Sequence, residues 1–337
     1  MQHFIAIDNV CAWPNLTVLP DGSVVAVVFD QPTHGRWEGD AACWGSTDQG
    51  RTWTFRGTAT RHEPGTNRMN VGAGLAADGD LLVLCSGWTR RGRPGDTDVA
   101  AFGESSVLEA TTSRSRDGGR TWDITRGALA PGPEALGPWV PFGDIAAAAD
   151  GALCAGVYAF SLDHTRGHCA VARSLDDGRS WASVHPIVQD RHVEAALLHQ
   201  EGARWLAAAR VFGTLELDVY VSRDDAISWE PLCHLGVPGV SAAHLVLLDG
   251  GRIALTYGNR AHRNKGLDSR FSDDGGRTWS TPKRLVDLPP ESDCGYPAAV
   301  QFPDGHVLIA YYSSRSAIHH RYHMATMHVD AGELGAP

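Results

Sequence analysis

The 337-residue sequence lacks features that mark several common functional classes. It has no apolar run near the ~20 residues that a membrane-spanning helix needs, so a membrane is not expected as a partner. Basic residues are in deficit, with 29 Lys and Arg against 39 Asp and Glu and a formal net charge of −10. Nucleic acids bind basic surfaces, so nucleic acid is not expected as a partner either.

Metal-binding and leader patterns are also missing. The 16 His and seven Cys form no HxH, HExxH or CxxC spacing, so we expect no metal site, no cofactor and no disulfide framework. The opening residues, MQHFIAIDNVCAWP, lack the basic and apolar regions of a signal peptide. The chain as written is therefore expected in the cytoplasm, or in a secreted or periplasmic location if a leader was removed.

An eight-residue pattern, Ser-x-Asp-x-Gly-x-Thr/Ser-Trp, recurs along the chain. Its five copies occupy residues 46–53, 115–122, 174–181, 222–229 and 272–279. The pattern suits a turn in which Asp caps the backbone and Gly takes a positive φ. The fourth copy, SRDDAISW, has Ala226 in place of Gly. Because alanine resists a positive φ, we expect an altered turn at this copy.

A second unit, two apolar strands joined by an Asp-Gly or Glu-Gly turn, alternates with the first. Its six copies start near residues 13, 70, 142, 193, 241 and 296. Their spacing is close to the roughly 40–50 residues of a propeller blade. The sequence therefore predicts an all-β protein, a six-bladed β-propeller, forming a single domain over residues 1–337. The sixth blade lacks a last strand, and the N-terminal segment HFIAI (3–7) is predicted to complete it.

The eight-residue pattern, known as an Asp-box, occurs here five times on a six-unit propeller, and this combination resembles the sialidase (neuraminidase) superfamily over almost the whole chain. Sialidases use a Tyr nucleophile assisted by a Glu, with an Asp as acid/base, and three Arg hold the substrate carboxylate. The resemblance implies these roles for Tyr296, Glu194 and Arg210. It implies a clamp role for Arg260 too, with Arg263 as a rival for that position. Arg68, before the second unit, is a further candidate for substrate binding.

The chain departs from the family pattern at two positions. Ala12-Trp13-Pro14 stands where sialidases have Arg-Ile-Pro, so a clamp arginine is absent, and Trp13 could instead stack on a sugar ring. The loop of residues 54–70, where the family has its acid/base Asp, contains no Asp. His34 and Asp40, in the polar loop after the first strand pair, are the candidates to replace it.

Purely structural roles stay open as alternatives for these residues. Tyr296 could be core filler, and Glu194 and Arg210 could simply neutralise each other. The sequence accordingly leaves three functions open. The first is a sialidase-like exo-glycosidase acting on a terminal sialic or uronic acid. The second is a lyase or hydrolase using His and Tyr on uronic-acid or rhamnose-containing polysaccharides, and the third is a non-catalytic glycan-binding propeller. Oligomeric state is not determined by these patterns.

Overall fold

The computed structural model describes residues 2–35, 38–89, 106–161, 165–214, 216–236 and 239–334. Over these residues it contains 24 β-strands in six antiparallel groups of four, which is the predicted six-bladed propeller. The inner strands of the second and third blades also pair in parallel at three positions, so these two blades form one continuous sheet. The predicted inner-strand positions are confirmed in every blade. Within the described ranges no helix is long and apolar enough to cross a bilayer.

The first three blades follow chain order from the axis outward. Blade 1 comprises β2 (Ala12–Val18), β3 (Val24–Phe29), β4 (Ala41–Ser46) and β5 (Thr54–Thr60). Blade 2 comprises β6 (Asn70–Leu75), β7 (Leu81–Ser86), β8 (Thr111–Ser115) and β9 (Asp123–Arg126). Blade 3 comprises β10 (Val140–Ala147), β11 (Leu153–Phe160), β12 (Gly167–Ser174) and β13 (Ser183–Val188).

The remaining blades complete the ring. Blade 4 comprises β14 (His192–His199), β15 (Trp205–Val211), β16 (Leu217–Ser222) and β17 (Glu230–Leu235). Blade 5 comprises β18 (Val240–Leu247), β19 (Ile253–Asn259), β20 (Gly266–Ser272) and β21 (Lys283–Asp287). Blade 6 comprises β22 (Cys294–Gln301), β23 (His306–Ser313), β24 (His323–Asp330) and, from the other end of the chain, β1 (Gln2–Asp8).

The ring is closed by the N-terminal strand, as predicted. Strand β1 pairs antiparallel with β24, with Gln2 opposite His328 and Asp8 opposite His323. The backbone edge of β24 is thereby covered, and an unpaired edge would otherwise offer a template for aggregation. Asp8 strengthens the seam, because its carboxylate contacts His319 at 2.6 Å and Arg321 at 2.7 Å.

All five copies of the eight-residue pattern form the same turn, both the four that contain glycine and the one that contains Ala226. In each, the first Ser accepts a hydrogen bond from the amide of the fifth residue, at 2.8 Å for the glycines and 3.0 Å for Ala226. Ala226 takes φ = 65°, in the left-handed region, and its side chain is fully buried. The prediction of an altered turn is therefore wrong. The local hydrogen bonds and tertiary packing outweigh the unfavourable φ of alanine.

The inner strands of five blades carry a β-bulge at one common point. Pairing registers shift there in β2, β10, β14, β18 and β22. A bulge of this kind usually begins with a glycine in the left-handed region. Gly143 occupies that position in blade 3 at φ = 79°, whereas blades 1, 4 and 6 have Trp13 at 42°, Glu194 at 54° and Tyr296 at 48°. Three large side chains thus sit in backbone conformations that cost energy.

Candidate active site

A cavity of about 1020 Å³ opens at the axis, and every inner strand contributes to its lining. Trp13, Glu194 and Tyr296 all line it, so the strained bulge residues are those that face the cavity. A bulge turns the side chain that follows away from the regular alternation of a strand. Strain retained at positions that share one cavity points to a site rather than to packing.

Tyr296 and Glu194 are hydrogen-bonded to each other in the cavity. The Tyr296 hydroxyl donates a hydrogen bond of 2.6 Å to Glu194 Oε1, although the residues are 102 positions apart. Burial raises the pKa of Tyr296 above its ordinary value, and the negative charge of Glu194 raises it further against the opposing effect of Arg210 and Arg260. The phenol is therefore neutral near pH 7, and its proton is already directed at a carboxylate that can accept it.

Arg210 lies on the other side of Glu194. Its Nη2 is 2.5 Å from Glu194 Oε2, without the alignment of a hydrogen bond, and its buried Nε has no hydrogen-bond partner among the described residues. Glu194 is only 6% exposed. Removal of either the Glu194 or the Arg210 charge would therefore leave the other charge buried without its partner, which would destabilise the fold. Burial lowers the pKa of Arg210, but the charge of Glu194 more than restores it.

Asp293 organises a second polar group beside the pair. It accepts hydrogen bonds from His34 Nδ1 at 2.6 Å, Tyr312 at 2.9 Å and Tyr322 at 3.0 Å, with Arg260 Nη2 at 3.3 Å. Burial disfavours the ionised form of Asp293, but the His34 hydrogen bond, with Arg260 and Tyr312, outweighs it and holds the pKa well below its usual range. An ionised Asp293 orients the His34 ring through the hydrogen bond at Nδ1.

Trp13 separates the two groups. Its ring meets His34 edge-on with centroids 4.9 Å apart and Tyr296 edge-on at 6.2 Å. His34 and Tyr296 both line the cavity on either side of this ring. Trp13 therefore lies between the imidazole and the phenol as an apolar spacer.

Four predicted residues lie outside the cavity lining as described. Arg260 directs its donors to Cys294 O at 2.7 Å and to Tyr312 Oη at 2.5 Å, and its Cζ lies 5.5 Å from the Tyr296 ring centre. Asp40 accepts from His62 Nδ1 at 2.6 Å. Arg68 lines a different groove, and Arg263, at φ = 62°, lies in the turn after β19. Of the predicted set, the structure brings together Trp13, His34, Glu194, Arg210 and Tyr296.

Sequence reasoning missed the opposite side of the cavity, which we call the aromatic wall. It consists of Trp88, Phe142, Tyr158, Phe160 and Phe212. Phe160 stacks on Tyr158 at 5.8 Å and meets Phe212 edge-on at 5.9 Å. Four of these aromatic residues lie at or near the ends of the second strands β7, β11 and β15, a pattern that sequence reasoning did not use. An apolar wall of this kind suits the carbon face of a sugar ring.

One group of side chains has the composition of a metal site. Cys11, His34 and Asp293 place their donor atoms within 4.8 Å of one another. Burial raises the pKa of the Cys11 thiol well above its ordinary value, so the thiol carries its proton. Asp293 already receives donors from three side chains, with the Arg260 guanidinium adjacent. These features favour a hydrogen-bond network over a bound cation.

Comparison with models of protein families identifies the family of this chain. The model of the BNR repeat-like domain matches residues 97–309, more than half of the sequence. The chain belongs to the BNR repeat-like family. None of the curated proteins compared with it matches.

Solved structures share the fold of this BNR repeat-like protein at low identity. A protein of unknown function from Dyadobacter fermentans is 20% identical, with a TM-score of 0.78 and 97% of each chain covered. The intramolecular trans-sialidase from Ruminococcus gnavus is 13% identical, with a TM-score of 0.71, covering 99% of this chain and 98% of that one. The NanB sialidase from Streptococcus pneumoniae is 14% identical, with a TM-score of 0.72, covering 98% and 70%. This likeness establishes the propeller fold.

Proposed function

We propose that the protein is a glycoside hydrolase that releases a terminal acidic sugar, with Tyr296 as nucleophile and Glu194 as its base. The observation that carries the proposal is the 2.6 Å hydrogen bond between these residues, both held in the left-handed region where they face the cavity. A tyrosine nucleophile is an established exception to the usual pair of carboxylates in glycosidases.

The first chemical step uses the groups in their observed states. The Tyr296 oxygen attacks the anomeric carbon while its proton passes to Glu194 Oε1, so the raised pKa of the phenol is no obstacle. The glycosidic bond breaks, and the leaving oxygen takes a proton from His34, whose Nδ1 lies 2.6 Å from Asp293. Water then displaces Tyr296 from the sugar. His34 accepts a proton from the water, and Glu194 returns its proton to the departing Tyr296 oxygen. The imidazole thus takes the role of the missing Asp.

Arg210 is the cation that serves recognition. It is the one arginine or lysine among the described residues lining the cavity, and its buried Nε has no partner there. The substrate carboxylate would share this guanidinium with Glu194. A single clamp arginine holds a carboxylate less firmly than three, so we expect a high KM and a larger share of binding from the aromatic wall.

The experiment is turnover of a panel of aryl glycosides of sialic, glucuronic and galacturonic acids, with a rhamnoside as neutral control. The proposal expects release of the aryl group from an acidic member and slower release from the rhamnoside. If the purified, folded protein releases no aryl group from any member, the proposal is wrong.

A lyase is the second candidate, favoured by the His34–Asp293 contact. A neutral imidazole held by a carboxylate can also remove the C5 proton of a uronic acid, after which the 4-linked group leaves. That reaction consumes no water and leaves a carbon–carbon double bond in the product. Ultraviolet absorbance of the product from a uronic-acid oligosaccharide separates the two reactions. An increase in that absorbance would show that the protein is a lyase and would overturn the hydrolase assignment.

A further inference from the structure

A second groove runs along the outside of blades 1 and 2. Two adjoining depressions of about 300 and 560 Å³ share Phe55, Arg56 and Arg120 among their lining residues. We call this the arginine groove. Its five arginines are Arg56, Arg61, Arg68, Arg120 and Arg126.

The charge of the groove is opposite to that of the protein. Five arginines line it, and Glu63 is the one acidic side chain among the described lining residues, whereas the whole chain carries a formal charge of −10. Glu63 forms an ion pair with Arg126 at 2.7 Å. Asp40, which does not line the groove, lies 4.0 Å from Arg61. A local positive field in an acidic protein concentrates anionic ligands at one place.

Arg68 and Arg56 give the groove its anion-binding character. Arg68 is only 5% exposed, its Nη1 makes a 3.4 Å contact with Glu109 O, and its Nε has no hydrogen-bond partner in the described part of the chain. Arg56 donates to Gly118 O at 2.8 Å. Over the described ranges neither guanidinium has a carboxylate within 4.0 Å. A buried guanidinium without an anion is costly, and a ligand carboxylate would relieve that cost.

Consecutive residues of the chain line the groove and the axial cavity. Arg68 lines the groove, and the next two residues, Met69 and Asn70, line the cavity. A chain molecule with its end in the cavity can therefore continue over the start of β6 into the groove. Phe55, 55% exposed, offers an apolar face there, and threonines at positions 47, 52, 54 and 58 add hydroxyl groups.

We propose that the arginine groove binds the carboxylates of an acidic polysaccharide whose terminal sugar occupies the axial cavity. The identity of the ligand rests on the proposed function, and the groove itself rests on charge and geometry. Arginine pairs with planar carboxylates in a two-pronged geometry, and exposed aromatic rings stack on sugars. Nucleic acid fits less well, because its dense phosphates meet the net negative charge of the remaining surface.

The test compares two double variants with equal loss of charge, both in the Tyr296→Phe background so that ligand is not consumed. Arg61→Gln/Arg120→Gln removes two groove arginines. Arg179→Gln/Arg277→Gln is the control, because both residues occupy the same box position as Arg120 and likewise donate to the carbonyl of the box Asp. Affinity for polygalacturonate and for neutral dextran is measured by gel retardation at several salt concentrations.

The proposal expects polygalacturonate, but not dextran, to retard the Tyr296→Phe protein. The groove variant should bind about tenfold more weakly and the control within about twofold. Equal weakening in both variants, or no retardation of the Tyr296→Phe protein, overturns the proposal. Duplex DNA that binds as tightly and is weakened by the same substitutions overturns the glycan assignment. Because binding is measured without turnover, a failure of the proposed hydrolysis does not affect this result.

Discussion

The same bulge holds glycine in blade 3 and a large side chain in blades 1, 4 and 6. Gly143 adopts φ = 79° without strain, and a Cβ built on it would meet nothing within 4 Å. Trp13, Glu194 and Tyr296 adopt comparable angles at an energetic cost. The backbone bulge is therefore a property of the fold, whereas the side chains placed on it are a property of the site. The comparison separates what the propeller needs from what the chemistry needs.

The largest effect is expected from Tyr296→Phe. The ring and its contact with Trp13 remain, but the attacking oxygen is lost, so kcat on the acidic glycoside should fall by about a thousandfold or more. The midpoint of thermal unfolding should shift by only a few degrees. Tyr311→Phe is the matched control, because Tyr311 is buried in the same blade but does not line the cavity. A Tyr296→Phe enzyme within a few-fold of the parent would return this residue to a packing role.

Glu194→Gln should have the next largest effect. The amide cannot accept the Tyr296 proton, so kcat should fall by about a hundredfold or more, in the range expected for a general base. The variant also leaves the Arg210 charge without its partner and should lower thermal stability. Glu201→Gln, on the exposed turn between β14 and β15, is the control. A stable Glu194→Gln enzyme with full kcat contradicts the assigned base.

Asp293→Asn tests the second polar group through pH. The folded-state pKa of Asp293 is depressed, so its stabilising contribution is present above the unfolded value of about 4 and is lost as pH falls below it. The parent should lose about 2 kcal/mol more stability than the variant between pH 5 and the acid range. Urea unfolding at stepped pH measures this difference. Asp123→Asn, an exposed carboxylate, should leave the profile unchanged, and identical profiles for all three proteins would contradict the account.

The smallest effect concerns the bulge itself. Gly143→Ala forces a Cβ into the left-handed region without a clash, so the free energy of unfolding should fall by about 1 kcal/mol. Gly332→Ala is the control, because it has equal space and no positive φ, and it should change stability by only a few tenths. A Gly143→Ala protein as stable as the parent would show that the bulge imposes no strain on its neighbours in the other blades.

Repetition made the fold predictable from sequence. Each box encloses its turn within eight residues, and the predicted closing segment lies in β1, paired with the edge of β24. Tyr296, Glu194 and Arg210 were found because the resemblance to sialidases assigned roles to residues at these positions of the repeated units. The bulges that present the side chains of Glu194 and Tyr296 could not be read from the sequence, since their first residues are not glycine.

Other parts of the site carried no such signal. Asp293 lies in an ordinary loop sequence, ESDCGYP, and becomes important only because His34, Tyr312 and Tyr322 converge on it from other segments. Arg260 followed the family pattern, but its donors are used by Cys294 O and Tyr312 before they reach the cavity. The Ala226 turn was mispredicted because a local preference was weighed without the hydrogen bonds that override it.

A double-mutant cycle on kcat tests most directly whether Tyr296 and Glu194 act as one catalytic unit. The cycle compares the parent, Tyr296→Phe, Glu194→Gln and the double variant on the same acidic glycoside. Groups that act in one proton transfer give strongly non-additive losses, so the double variant should be no slower than the worse single variant, within about threefold. Losses that multiply would show that the two side chains act independently, and they would contradict the shared step on which the proposed function depends.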